Sequence, residues 1–268
     1  RGLTDYEGRI LEFQAVLAAQ ADNDYERMEL IRAQCEEMKQ AWTGKTARPV
    51  PEIPKKPVWS VFHLLEDFQK LRADKSRLPV AYDMANAQVY GIDLSRTYCY
   101  TAYGAAHTGK TNFLKVCLQA AMEKNGKVCV IDNETHDFSS YASAQIQYVD
   151  TDKGLYEFFT KLLPVFQERN QKKHGLQARD CEEEEIYEAM SAYEPYFILI
   201  ADLKSLVRLV NESEFNMKGF FKNILEKGSM HHIFFFGAIS LKDHQEIFGD
   251  ELYEAFTGYK TGIHFGGN

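Results

Sequence analysis

Apolar residues follow two rhythms along this chain, and the change from one to the other divides it. From Tyr25 to Trp42 the apolar positions Tyr25, Met28, Ile31, Cys35, Met38 and Trp42 stand three or four apart, which puts them on one face of a helix. Asn23 is placed to cap that helix, with Glu26 three positions on in the manner of a capping box, and Gly44 suits its end. The preceding stretch YEGRILEFQAVLAA, from Tyr6 to Ala19, predicts a short strand or hairpin arm. Four prolines then fall between Pro49 and Pro57 in ARPVPEIPKKPVW. Proline fixes φ and lacks a donor, so this is an extended connector, and a domain boundary is expected near Ala47.

Past the connector, SVFHLLEDFQKL predicts one short helix, and LPVAYDMANAQVYGIDLS alternates like a hairpin. From there, apolar runs without alternation are separated by helical segments. KVCVIDN, AQIQYVD, YFILIAD, HHIFFFGAIS and TGIHFGG read as strands. KGLYEFFTKLLPVFQERNQKK and NMKGFFKNILEKG read as helices, and CEEEEIYEAMSAY as a solvated acidic helix. Uniformly apolar strands between helices predict an α/β fold, a mainly parallel sheet covered on both faces.

Composition narrows the class. The chain has 268 residues, 45% hydrophobic and 26% charged, enough for one large domain or a domain plus an appendage. Five cysteines without C-x-x-C spacing argue for reduced thiols rather than a disulfide framework or zinc site. The eight histidines are scattered, and adjacent His231 and His232 lack ligand-like neighbours. No stretch approaches the ~18 consecutive apolar residues of a membrane helix, and no signal-peptide succession is present. The net charge of −8 opposes broad attachment to nucleic acid. Because the sequence starts at Arg1 rather than Met, it is expected to be a piece of something longer.

One stretch carries chemistry. TYCYTAYGAAHTGKTNFLK places Gly104-Ala105-Ala106-His107-Thr108-Gly109-Lys110-Thr111 between a strand and an amphipathic helix, matching the Walker A spacing G-x-x-x-x-G-K-T. The glycines let the backbone wrap so that successive N–H groups face phosphate oxygens, and the helix adds its N-terminal partial positive charge. Lys110 would reach the β- and γ-phosphates, and the Thr111 hydroxyl would ligate Mg²⁺. His107 occupies a variable position and reads as a spacer. The stretch is built for a nucleoside triphosphate, with ATP and Mg²⁺ the expected ligands.

A carboxylate at the end of an apolar strand is needed to hold the magnesium through water, and Asp202, closing YFILIAD, supplies it. The catalytic glutamate that often follows such an Asp is replaced by Leu203, which accepts no proton. Glu134 in VIDNETHDF is the best substitute, since it follows an expected strand whose end gathers at the nucleotide edge. The alternative is an ordinary solvated loop carboxylate.

At these residues the chain resembles a family. LPVAYDMANAQVYGIDLSRTYCYTAYGAAHTGKTNFLK is similar to the entry into FtsK/SpoIIIE motor ATPase domains, with their RecA-like P-loop NTPase fold. ILEKGSMHHIFFFGAIS is similar to the segment leading to their polar sensor, but Ile239 and Ser240 stand where the family has Thr-Gln. EFQAVLAAQADNDYERMELIRAQCEEMKQAWTGKTARPVPEIP resembles the junction between the second and third modules of the membrane motors of type VII secretion in Firmicutes.

The resemblance implies that residues 1–46 are the closing strand and exit helix of a preceding module, a helical linker. Residues 47–268 would be the third, C-terminal ATPase module, lacking its extreme C-terminus. It further implies the cytoplasmic part of a membrane-anchored translocase, in tandem modules able to form hexameric rings and exporting small helical proteins. The departures at Leu203 and Ile239-Ser240 imply weak hydrolysis. The competing expectations are a DNA-translocating motor of the same superfamily, opposed by the acidic balance and the lack of a basic stripe, and a non-hydrolysing regulatory or docking module.

Overall fold

The structure, a computed structural model, describes residues 2–14, 16–44 and 52–266. The expected boundary at Ala47, and the prolines at positions 49 and 51 of the connector, lie outside the described residues. By contacts the chain divides into two compact units, Arg1–Val50 and Pro51–Asn268.

In the first unit β1 (Gly2–Tyr6) and β2 (Arg9–Phe13) form an antiparallel hairpin. Its two-residue turn has positive φ at both Glu7 (53°) and Gly8 (77°), the backbone that matches strand twist in tight hairpins. Helix α1 (Asp24–Ala41) follows, and Asn23 Oδ1 accepts from Glu26 N at 2.9 Å. The return contact of the expected capping box is shifted by one residue: Glu26 accepts from Asp22 N, not from Asn23 N. No side chain of α1 is buried, and Tyr25, Met28, Met38 and Trp42 are exposed.

The second unit begins with α2 (Trp59–Phe62) and α3 (Glu66–Ala73), then the antiparallel hairpin of β3 (Arg77–Tyr82) and β4 (Val89–Asp93). Next come β5 (Cys99–Gly104), α4 (Lys110–Glu123), β6 (Lys127–Ile131) and β7 (Ile146–Val149). They are followed by α5 (Asp152–Gln177), α6 (Glu183–Met190), β8 (Tyr196–Ile200), α7 (Leu203–Glu212) and α8 (Lys218–Lys227). The unit closes with β9 (Ile233–Ser240), α9 (Leu241–Ile247), α10 (Glu251–Thr257) and β10 (Thr261–Phe265). Six strands make one sheet in the order β10-β5-β9-β8-β6-β7, and every pairing in it is parallel.

Both faces of the sheet are covered, as the uniformly apolar strands require. Ile198, Ile200, Phe235 and Ile239 point into a core shared with α5, α7, α8 and α10. Their neighbours Phe197, Leu199, Phe234 and Phe236 point into the opposite core, shared with α4 and the β3–β4 hairpin. The sheet is therefore an α/β sandwich whose strands read as continuous apolar runs because each residue is buried on one face or the other.

Three expectations need correction. SVFHLLEDFQKL is not one helix: Leu65 is extended (ψ 141°) and separates α2 from α3. Phe62 and Phe68 are both buried with ring centroids 5.3 Å apart. On a continuous helix six residues turn about 600°, leaving those rings on different faces; the break brings them together. The acidic helix α6 is solvated only on its glutamate side, since Ile186 and Met190 are buried. Finally, α7, α9 and α10 were not anticipated, although Leu203, Leu206, Val207 and Val210 have helical spacing.

His231 and His232 are buried beside Arg169, whose guanidinium donates to their carbonyl oxygens at 3.0 and 2.9 Å. Burial pushes His231 down to about 3 and His232 to about 4, so both rings are neutral at pH 7. Among the described residues no helix is long and apolar enough to cross a membrane.

Candidate functional site

In a parallel sheet all strands end at one edge, and the residues singled out from sequence collect there. Gly104 closes β5 and is paired with Ser240, which closes β9. Asp202 follows β8, Glu134 lies in the loop after β6, and Phe265 ends β10 beside Gly104. Strand β9 thus stands between the strand that feeds the glycine loop and the strand that carries Asp202.

The loop from Gly104 to Gly109 has left-handed or otherwise glycine-favouring backbone at three positions: Gly104 (φ 155°), His107 (φ 60°) and Gly109 (φ 106°). At Gly104 the need for glycine is also steric, because an added Cβ would stand 2.2 Å from the Phe265 carbonyl oxygen of β10. Gly109 is the N-cap of α4 and has open space around it, so its requirement is conformational. Ala105, Ala106 and His107 are exposed, and Thr108 Oγ1 donates to Ala105 O at 2.8 Å. Thr111 lies half-buried in the first turn of α4.

Lys110 folds back over the loop. Its ammonium donates to the carbonyl oxygens of Gly104, at 3.1 Å, and Ala105. Partial burial lowers its pKa, against the opposing charges of Asp243 and Asp202. This hydrogen-bonded cation is replaceable: phosphate oxygens offer it stronger, charge-assisted partners than carbonyls.

Asp202 serves two purposes with its two oxygens. Oδ2 caps α7, accepting from Ser205 N at 2.9 Å and Ser205 Oγ at 2.6 Å. Only that oxygen is used in the cap, so the other is available for a metal's water shell. Asp202 and Glu134 line one cleft of about 580 Å³, together with Lys204, Arg208 and Asp243. Glu134 is exposed, on a loop built by Asp132: the buried Asp132 carboxylate accepts from Asn133 N, Phe138 N and the Tyr148 hydroxyl.

Leu203 is not in this cleft. It is 1% exposed and packs against Gly237 of β9, where an added Cβ would stand 2.6 Å from Leu203 Cδ2. The position after Asp202 therefore faces the core rather than the nucleotide edge, and a glutamate there would be buried.

Among the cleft residues that sequence reasoning missed are Lys204 and Asp243. Ser240 caps α9, exchanging hydrogen bonds with Asp243, and Asp243 Oδ1 accepts from Lys204 Nζ at 2.9 Å. The signal was there in Ser240-Leu-Lys-Asp243, a Ser-x-x-Asp start to a helix. Asp243 is a stronger acid than usual: burial opposes this, but the Ser240 and Lys204 hydrogen bonds and nearby lysine charge outweigh it.

The donors suit ATP with magnesium. Thr111 offers a hydroxyl and Asp202 a carboxylate, hard oxygen ligands of the kind Mg²⁺ takes alongside phosphate and water. Among the described residues no group of three His, Cys, Asp or Glu side chains gathers as a protein-built metal cage.

No protein-family model matches the chain. In sequence it is 22% identical over 157 residues to the type VII secretion system protein EssC of Staphylococcus aureus strain MRSA252, covering 54% of this chain and 11% of EssC. In structure it matches the cytoplasmic domain of EssC with a TM-score of 0.69 and 20% identity, covering 98% of this chain and 50% of that one. It also matches ATPases 2 and 3 of EssC from Geobacillus thermodenitrificans, with a TM-score of 0.69, 21% identity and coverage of 92% and 44%. The chain thus spans no more than half the length of these relatives. It is similar in sequence to EssC, and its fold is that of the cytoplasmic ATPase domains of EssC.

Proposed function

We propose that residues 47–268 form an ATP-binding module of a type VII secretion translocase, the third and C-terminal one, with residues 1–46 leaving a preceding module. The observation that carries this reading is the glycine loop at the sheet edge, where Lys110 rests on its own loop's carbonyls and Asp202 shares the edge. ATP binds along Gly104–Thr111, and Mg²⁺ is held by Thr111 and, through water, by Asp202. Binding is coupled to export of small helical proteins, in tandem with a neighbouring module and in hexameric assembly at the cytoplasmic face of the membrane. The relationship to EssC supports the secretion role.

Hydrolysis is weak on this reading, because the residue after Asp202 is buried in the core and Glu134 is an exposed loop side chain. A well-placed general base contributes roughly 10²–10⁴-fold. Calorimetry with ATP and Mg²⁺, followed by a phosphate-release assay, tests the proposal. Binding with slow release that Glu134→Gln leaves within about twofold fits a nucleotide-responsive part. Brisk release abolished by Glu134→Gln makes Glu134 the base and the module a motor. Failure to bind ATP removes the reading.

The buried Leu203 favours a second reading, in which the module binds ATP without hydrolysing it and acts in docking or regulation. A turnover indistinguishable from buffer separates it from the first.

A further inference from the structure

Lys204 stands two residues after Asp202 and lines the same cleft as Asp202 and Glu134. Its ammonium is held across α9 by two carboxylates, Asp243 and Glu246. A lysine ammonium at its ordinary pKa carries a full charge at neutral pH. Asp243 is in turn fixed by Ser240, whose strand position is level with Gly104 at the entrance to the phosphate loop. One carboxylate, anchored at the end of β9 next to the strand that opens the glycine loop, therefore bonds the Lys204 ammonium.

A phosphate group bears more negative charge than a carboxylate and offers more acceptor oxygens, so it competes well for a place between two ammonium groups. The terminal phosphate of a triphosphate is the part of the nucleotide farthest from its base, and Ser240, which holds Asp243, ends its strand beside Gly104. We propose that Lys204 is a second γ-phosphate-binding cation, and that Asp243 holds it in readiness at the place the γ-phosphate takes. The polar reading of the γ-phosphate is then done from α7 by Lys204, at a site where Leu203 and Ile239 are turned into the core. Asp243 is a positioning residue and also a competitor: its charge disfavours a third phosphate until Lys204 is released to it.

The inference rests on the ATP-binding reading above, and the ratio of ATP to ADP affinity tests it separately. A fluorescent-nucleotide displacement assay would compare wild type, Lys204→Met, Lys204→Arg and Asp243→Asn, each against ATP and ADP with Mg²⁺. Lys204→Met is expected to weaken ATP by about tenfold, the scale of one charge-assisted hydrogen bond, with ADP within about twofold and Lys204→Arg restoring much of the loss. Asp243→Asn removes the competing charge while Glu246 still holds Lys204, so it is expected to move the ratio the other way, in favour of ATP. A structural role for the ion pair predicts equal losses for both nucleotides, and that result overturns the inference. So does an unchanged ratio in Lys204→Met, or a ratio that falls in Asp243→Asn. Wild type that binds neither nucleotide removes the ATP-binding reading itself, and this inference with it.

Discussion

Gly104 and Ser240 lie side by side across β5 and β9, one opening the glycine loop and the other capping α9. This pairing joins two parts of the sheet edge that are far apart in sequence: the glycine loop and the helix start that carries Asp243. The cation one strand further along that edge, Lys204, belongs to the helix that Asp202 caps. Strand ends, helix caps and charges are thus one connected structure, and substitutions along it have separable effects.

Lys110→Ala should weaken ATP by at least about tenfold, since it removes a charge-assisted phosphate contact. Stability should hardly change, because the ammonium's partners are carbonyls of its own loop. A fluorescent ATP analogue with a parallel thermal melt checks both. Equal binding by wild type and variant would take Lys110 out of the site.

Asp202→Asn should leave metal-free nucleotide affinity nearly unchanged and reduce the gain on adding Mg²⁺. Asparagine still caps a helix, so the melting point should move little, whereas Asp202→Ala should lose about 1 kcal/mol through the missing cap. Titrations with and without Mg²⁺ read the first effect and chemical denaturation the second. A magnesium response that survives in Asp202→Asn would dissociate this residue from the metal.

Leu203→Glu should not restore turnover. The side chain sits in the core against Gly237, so the variant buries a carboxylate without a partner and should lose about 4 kcal/mol. Denaturant unfolding measures the loss and phosphate release the activity. A stable variant with faster release would mean that position 203 reaches the nucleotide after all.

His231 supplies the pH dependence. Burial, and then the charges of Lys173 and Arg169, lower its pKa from 6.5 to about 3, so the unfolded chain binds its proton before the folded one does. Stability from this residue is full above about pH 6.5 and declines as the pH falls toward 3, by about 1.4 kcal/mol per pH unit. Both ring nitrogens are buried without a hydrogen-bond partner, and the ring packs edge-on against Phe166 at 4.7 Å. His231→Phe should therefore flatten the acid limb of a stability–pH curve measured between pH 7 and 4. An unaltered slope would mean that other groups govern it.

Much of this fold was readable because its strands are uniformly apolar and its glycine loop has fixed spacing. Runs such as YFILIAD and HHIFFFGAIS announce a two-sided core, and Asn23 and Gly109 announce helix starts. What escaped reading was tertiary. The break at Leu65 depends on where Phe62 and Phe68 meet, which no local pattern states. Helix α7 was hidden because Asp202-Leu203 was read as a chemical motif, when the same residues are also a cap and the first core position of a helix. The contact between Lys204 and Asp243 spans 39 residues, and only the sheet order brings it about.

The close approach of Phe265 to Gly104 has a consequence for the order of folding. Among the described residues strand β10 pairs with β5 alone, and Thr261 Oγ1 donates to the Cys99 carbonyl 162 residues earlier in the chain. Contacts of such separation carry a large loop-closure cost and belong to the slow, late part of folding. On a ribosome the glycine loop and its helix emerge long before their flanking strand does. The loop and its helix therefore wait for their flanking strand until β10 has paired, and a chain released before residue 265 leaves that loop unbraced.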